Sequence, residues 1–359
     1  MARFHESYCP GDAFADQGDH PAGHAIVATI AELHLDSTVL PTLCSILNPT
    51  DPGAPCNLAS VASWADKHKE PWSAPMHYAN AADDHPPQVC QFPGPKGWLG
   101  EKNVNVLGAI RNNTDILGRW VQEGSDLRDS IASDALKFLI HFVGDMHMPF
   151  HTVARLKGAN GMSVKWGTKT TSESARFWLF VEHNSTLEVD LHAMWDGDVV
   201  KRAMDTTPSK WSKHLTPEIE GHLHGNKYDP LIRKILVEGI DKTWAGEVES
   251  WIECPAVNSL LHGGGPDRQI VLQSEWQVSD TDDDSVCPWH WAAPIHNLTC
   301  EWIWPKEADE HKPLVQLDVD WYGGRITRDW VVERFLAMGG LRLASILNLV
   351  FAHIPGDGE

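Results

Sequence analysis

The stretch ALKFLIHFVGDMHMPFH, residues 135–151, constrains this chain more than any other. Helical spacing over Ser133–Asp145 puts apolar residues on every side, and a helix of that kind is normally buried. It nevertheless carries His141 and Asp145, four positions apart and therefore on one face. Burying a histidine and a carboxylate without partners costs on the order of several kcal/mol, so compensating groups must meet them. His151 follows just past Pro149, where the helix should kink or stop. LHAMWD repeats the same spacing with His192 and Asp196, and upstream Asp66 sits in SWAD and His77 in MHYAN. Zinc takes three or four such nitrogen and oxygen donors at about 2.0–2.2 Å. Taken alone, a histidine on an apolar helix is ordinarily a satisfied core residue. Two such pairs in a chain with 20 His decide nothing by themselves.

Further helices are expected from near Pro21 through Leu33, over Leu58–Lys67, Val104–Trp120 and Leu191–Met204, and over Trp330–Phe351. Alternation of the strand kind is scarce outside Met162–Trp166, so the class is mainly α. Residues 171–190 and 257–286 break the helical periodicity and read as insertions within one domain, 20–352, flanked by an atypical segment 1–19 and a tail 353–359. Seventeen Trp suit stacking surfaces, although tryptophan is more often core.

The formal charge of −20 argues against a phosphate-rich partner, since such partners usually meet a basic face. Bound divalent ions would add positive charge where a substrate sits, and protonation of every histidine would bring the formal charge to zero. No apolar run approaches 18 residues, so no membrane span is expected. The first 23 residues lack the apolar core of a signal peptide, yet seven Cys and sequons at Asn112, Asn184 and Asn297 point outside the cytosol. The expectation is a secreted glycoprotein in which residues 1–19 are neither leader nor mature start.

GHAIVATIA, ASVASWADK, MHYAN, the His141–His151 block, a G-x-N-G-x-x-V segment at Gly158–Val164, LHAMWDGDVV and GGLRLASILN come in this order. Together they resemble the zinc-dependent single-strand-specific nucleases and 3′-nucleotidases, the S1/P1 nucleases of fungi and plants, which are related to bacterial zinc phospholipase C. The resemblance covers residues 20–170, 191–255 and 288–352, and implies the single-domain helical fold of that family with long loops.

By position, the resemblance implies three zinc ions. Asp66, His77, His141 and Asp145 would hold the first; His151, His192 and Asp196 the second; His24 and Asp145 the third, with Asp145 bridging. His147 falls at a non-ligand position. In the family an N-terminal Trp completes the third site, five residues before the histidine of the GH pair; Asp19 stands there in this chain and is not a terminus. Either the chain begins with a mispredicted or altered segment, or the third zinc is bound differently, with Asp19 and His20 as candidate substitute ligands, or is lost. Asp66 would orient or deprotonate water. Lys69 would face phosphorane charge where the family has Arg, keeping the charge without the bidentate fork. Tyr78 matches the stacking aromatic, Asn80 the family's base-reading Asp, and Asn160 a base-contacting Asn.

The implied substrates are single-stranded DNA or RNA and 3′-nucleotides, cut to 5′-phosphate products, with no obligate protein partner and no membrane. Cys90 and Cys300 match a family disulfide; Cys44 and Cys56 bracket a short loop, Cys254 and Cys287 then remain, and Cys9 is left over. Residues 171–190 look inserted beside His192, as translated intron or as a lineage-specific loop. Two other readings are a zinc phospholipase C, which carries Glu at the position of Asp196, and a catalytically impaired member kept as a binding protein.

Overall fold

The structure is a computed structural model that describes residues 21–48, 50–51, 56–123, 129–168, 186–255, 282–308 and 313–352. The segment 1–19, the tail 353–359, Asp19, His20, Cys9, Asn184 and most of both expected insertions lie outside these residues. Helices dominate, as expected. In chain order they are α1 (Pro21–Glu32), α2 (Val39–Leu47), α3 (Trp64–Lys67), α4 (Val106–Glu123) and α5 (Asp129–Met146), followed by α6 (Leu191–Ala193), α7 (Val199–Asp205), α8 (Pro217–Glu220) and α9 (Asp229–Lys234). The last are α10 (Val248–Ile252), α11 (Pro288–Leu298), α12 (Arg325–Arg328) and α13 (Val331–Phe351). Helix α2 and the run from Asp229 through a π-helical stretch to Thr243 were not among the expected helices.

Helix α5 is the centre of the packing. Leu136, Leu139, Ile140, Phe142, Val143 and Met146 are fully buried, and α1, α2, α4 and α13 lie against them. This arrangement answers the all-round apolar pattern. Helix α1 contributes Ile26, Val27 and Ile30 and crosses α13 closely because Gly339 and Gly340 leave room. A Cβ on Gly340 would stand 2.4 Å from Ile30 Cγ2.

Contrary to the expectation that no segment could span a membrane, α13 is long and apolar enough to cross one. With 72% of its apolar window buried against the rest of the protein, it serves as a core helix. Its Arg342 is buried, donates to the carbonyls of Trp251 (2.7 Å) and Trp291 (3.3 Å), and donates to His147 Nε2 at 2.7 Å. The other ring nitrogen of His147 donates to Val143 O, 2.7 Å away. Both nitrogens are thereby engaged.

Two expected helices are broken. The segment from Leu58 to Lys67 forms a 3-10 turn, Leu58–Val61, then the single-turn α3. The Ala62 carbonyl between them accepts from His141 instead of continuing a helical ladder. Residues 191–204 are helical throughout, but between α6 and α7 they widen into a π turn, Met194–Asp198. The last residues assigned to the insertion 171–190 are a strand. β2 (Thr186–Asp190) pairs antiparallel with β1 (Ser163–Thr168), with Ser163 opposite Asp190. Asp190 then caps α6, its Oδ1 accepting from the amides of His192 and Ala193. The hairpin is what delivers His192.

Disulfides join Cys44 to Cys56, Cys90 to Cys300 and Cys254 to Cys287. Asn112 and Asn297 are exposed on helices, while the hydroxyls of Thr114 and Thr299 in the same sequons are buried and donate to carbonyls four residues back.

Glu220 at the end of α8 is clasped by Arg233 of α9, Nε to Oε1 at 2.8 Å and Nη2 to Oε2 at 2.7 Å. The Arg233 hydrogen bonds outweigh the opposing effect of burial and hold the Glu220 carboxyl at about 2, below the usual glutamate range. A depressed carboxyl stabilises the fold above its unfolded value, and that contribution is lost as pH falls through its folded value. Glu220→Gln should therefore lower stability by about 1–3 kcal/mol at neutral pH. Urea melts across pH 7 to 2 should show the gap from the wild type closing as the pH falls from about 4.5 towards 2.

Candidate metal centre

The site is assembled from six places in the chain around Asp145, which sits 2% exposed near the end of α5. His141 precedes it by one turn and lies 3.3 Å from its Oδ2. His77 ends the 3-10 turn Ala74–His77 and puts Nδ1 2.9 Å from the same oxygen. His24 of α1 and His151 each reach 3.4 Å from Oδ1. Asp66, on α3, stands 3.5 Å from His141 and 3.7 Å from His77. His192 Nε2 meets Asp196 Oδ2 at 3.2 Å across the π turn, and His151 Nε2 faces Asp196 at 3.7 Å. All eight residues expected as ligands thus converge. The hydrogen-bonded pair Asp84–His296 lies apart from them beside Cys300, whose sulfur is bound in its disulfide.

The rings are held by hydrogen bonds behind them. Nδ1 of His141 donates to Ala62 O (2.7 Å), Nδ1 of His151 to His77 O (2.6 Å), and Nδ1 of His192 to Gly158 O (2.6 Å). A proton fixed on Nδ1 leaves the Nε2 lone pair facing the carboxylates, which is how a backbone carbonyl sets the tautomer of a ligating imidazole. The Gly158 carbonyl is presented by a left-handed turn, with positive φ at Leu156, Lys157, Gly158 and Ala159. For residues other than glycine that conformation costs about 1–2 kcal/mol each.

Charge in the cluster is unbalanced. Burial pulls His24 down to about 4, assisted by the nearby His141. Burial also opposes charge on His141, but Asp145 and Asp66 overcome it and raise the imidazole to about 9. Against the same burial, His141 and His151 hold the Asp145 carboxyl well below the carboxylate range. Asp196 is held at about 2 by His192 and His151, again against burial. Protons stored on imidazoles between carboxylates are what an incoming cation displaces.

His24 Nδ1, His77 Nε2 and His141 Nε2 are buried without a hydrogen-bond partner. Three groupings here could hold a metal: His24 with Asp66 and His141; His77 with His141 and Asp145; and His151 with His192 and Asp196. Of the three orphaned nitrogens, His141 Nε2 is the one that faces Asp66 and Asp145, and a buried, unpartnered imidazole nitrogen between carboxylates fits a borderline-soft divalent ion such as zinc.

The cluster floors a cavity of about 1160 Å³. Lys69 stands on one side, its Nζ 3.1 Å from Asp66 Oδ1. Tyr78, 40% exposed, and Asn80 line another side. The side-chain oxygen of Asn80 is buried with no hydrogen-bond partner. Asn160 also lines the cavity and donates to Lys157 O at 2.8 Å. Sequence reading missed an apolar part of the lining: Val27, Val200, Val332, Phe335 and Leu336. Their spacing reads as ordinary core, and only the packing of α1, α7 and α13 opens one edge of it. Sequence reading also missed Gly144. A Cβ there would lie 2.4 Å from His24 Nδ1, so the absence of a side chain is what lets α1 bring His24 onto α5.

Residues 20–258 match the family described as S1/P1 nuclease. Endonuclease 2 of Arabidopsis thaliana is 26% identical over 335 residues, 92% of this chain and 89% of its own length. Nuclease S1 of Aspergillus oryzae is 27% identical over 241 residues, covering 64% of this chain and 74% of its own length. Nuclease P1 of Penicillium citrinum is 32% identical over 206 residues, covering 55% and 66%.

Replacing Gly144 by Ala should push His24 away from Asp145. Overpacking of this kind costs about 1–3 kcal/mol, so the melting temperature should fall. Elemental analysis should show less bound metal than in the wild type; an unchanged metal content would mean that His24 is no ligand.

Proposed function

The chain belongs to the S1/P1 nuclease family, and on that premise we propose that it is a zinc-dependent endonuclease cutting phosphodiester bonds of single-stranded DNA and RNA, with 3′-nucleotidase activity. The observation that carries this reading is the convergence of eight histidine and aspartate side chains, seven of which line one cavity while His141 is buried behind them. We assign Asp66, His77, His141 and Asp145 to one zinc, His151, His192 and Asp196 to a second, and His24 with the shared Asp145 to a third. Zinc bound there supplies Lewis acidity, lowering the pKa of water and drawing charge from phosphoryl oxygens.

The chain's own groups do the rest. Asp66 is half exposed beside the cluster, where its carboxylate can orient an attacking water and take its proton. Attack on phosphorus in line with the 3′-oxygen breaks the P–O3′ bond, leaving a 3′-hydroxyl on one product and a 5′-phosphate on the other. The Lys69 ammonium beside Asp66 opposes the negative charge that builds on the phosphorane oxygens. Tyr78 offers a face on which an unpaired base stacks, worth about 1–3 kcal/mol per base. A paired base is not available for such stacking, which supports the preference for single strands. The unpartnered oxygen of Asn80 and the amide of Asn160 read the edge of that base. The disulfides and the exposed Asn112 and Asn297 suit secretion and glycosylation.

The apolar wall of Val332, Phe335 and Leu336 favours one second reading, a phospholipid phosphodiesterase. Turnover of a choline phospholipid faster than of a single-stranded oligonucleotide would establish that reading in place of the first.

Dialysis against a chelator should abolish cleavage of a single-stranded oligonucleotide, and zinc should restore it. Asp66→Asn should lower kcat by about 10²–10⁴, the range for loss of a positioned general base. Lys69→Arg should retain or raise activity, because guanidinium binds phosphate oxygens in a bidentate fork. End-labelling should find 5′-phosphates on the products. Equal cleavage by the zinc-depleted protein would overturn the proposal.

A further inference from the structure

Between Asp66 and His77 the chain makes an exposed excursion, and at its outer end stands Trp72, 59% exposed, the most exposed large apolar side chain among the described residues. An indole left in water needs a reason when so many others in this chain are buried. Trp72 is not loose. It meets Phe138 edge to face at 5.7 Å; Phe138 stacks on Phe142 at 5.2 Å; Phe142 meets the ring of His77 at 5.1 Å. Two rings on α5 therefore tie the exposed indole to an imidazole of the metal cluster. Lys69 and Ala74, on either side of Trp72 in the sequence, both line that cavity, so the surface around Trp72 is continuous with it.

The chemistry around the indole suits a polyanion with flat faces. The exposed run from Asp66 to Trp72 carries Lys67, His68 and Lys69, while its Asp66 is turned to the metal cluster and its other acid is Glu70. Trp64 stacks on His68 at 4.5 Å, and the Lys137 ammonium lies 4.8 Å over the Trp64 ring. In a chain of formal charge −20, aromatic faces interleaved with lysines beside Lys69 at the cavity form a local exception. Base stacking beside cations is how single strands are held without regard to sequence.

We infer that Trp72 is a second base-stacking subsite, which holds an unpaired base of a longer single-stranded nucleic acid outside the cavity while Lys67 faces its backbone phosphates. In the chain Trp72 stands between Lys69 and Tyr78, and as a second subsite it makes a long strand a better ligand than a mononucleotide. This inference rests on the nuclease reading of the cavity, and its test separates the two.

The zinc-loaded full chain is compared with Trp72→Ala and Trp72→Phe on oligodeoxythymidylates of increasing length and on a 3′-mononucleotide. Binding of a fluorescently labelled oligonucleotide is followed by anisotropy after chelation, when no cutting occurs. Trp72→Ala should raise KM for long strands by about 5- to 150-fold, the span that loss of one stacked base gives. It should leave kcat and the mononucleotide KM unchanged, flatten the gain of affinity with strand length, and weaken anisotropy binding by the same factor. Trp72→Phe, which keeps a flat face, should recover most of the loss. An unchanged KM for long strands in Trp72→Ala would overturn the subsite, as would an equal rise for the mononucleotide, which marks a purely structural role. A wild-type chain that cuts no strand but binds the labelled oligonucleotide through Trp72 would overturn the nuclease reading and leave the subsite standing.

Discussion

The Asp145 carboxylate, sealed inside a helix that is apolar on every side, is the group around which the molecule is arranged. Four imidazoles from separate parts of the chain reach within 3.4 Å of its two oxygens. A buried carboxylate is tolerable only with that degree of compensation. Bringing the rings in dictates the packing: Gly144 admits His24 on α1, and the Gly339–Gly340 pair lets α1 lie between α5 and α13. Metal chemistry and core packing are thus consequences of the same requirement.

Irregular backbone surrounds this regular centre, and each irregularity has an assignment in the site. The break between Leu58–Val61 and α3 leaves the Ala62 carbonyl for His141. The left-handed turn at Leu156–Ala159 offers the Gly158 carbonyl to His192. The π turn at Met194–Asp198 carries Asp196. π bulges and strained turns concentrate where side-chain aim matters more than local stability. In the first two cases a backbone carbonyl is left to orient an imidazole, and in the third the wider turn sets a carboxylate beside His192.

A chain with formal charge −20 acting on a polyanion is less paradoxical once charges are placed. Six carboxylate oxygens, from Asp66, Asp145 and Asp196, are gathered at the cluster, where divalent ions would reverse the local sign. Lys69 stands at the rim, Lys67 is exposed two residues before it, and aromatic faces are available at Tyr78 and Trp72. Net charge describes solubility and long-range repulsion; the field at the cavity is set by what the acids are bound to.

Spacing alone determined that α5 would be a buried helix carrying His141 and Asp145 on one face, and that His192 and Asp196 would form a second such pair. These are short-range properties of a 3.6-residue period, and they need no knowledge of the rest of the chain. Ordered motifs extended that reading to His24, Asp66, His77 and His151. What the sequence could not contain is which backbone carbonyl stands behind each ring, why residue 144 must lack a side chain, and that Thr186–Asp190 is a strand that delivers His192. Each of those depends on two segments far apart in sequence arriving at the same place, and pairwise proximity of that kind leaves no local pattern. Tertiary structure alone also decided that Trp72, among seventeen tryptophans, stays in water at the edge of the cavity. Exposure of an indole is set by what fails to pack on it.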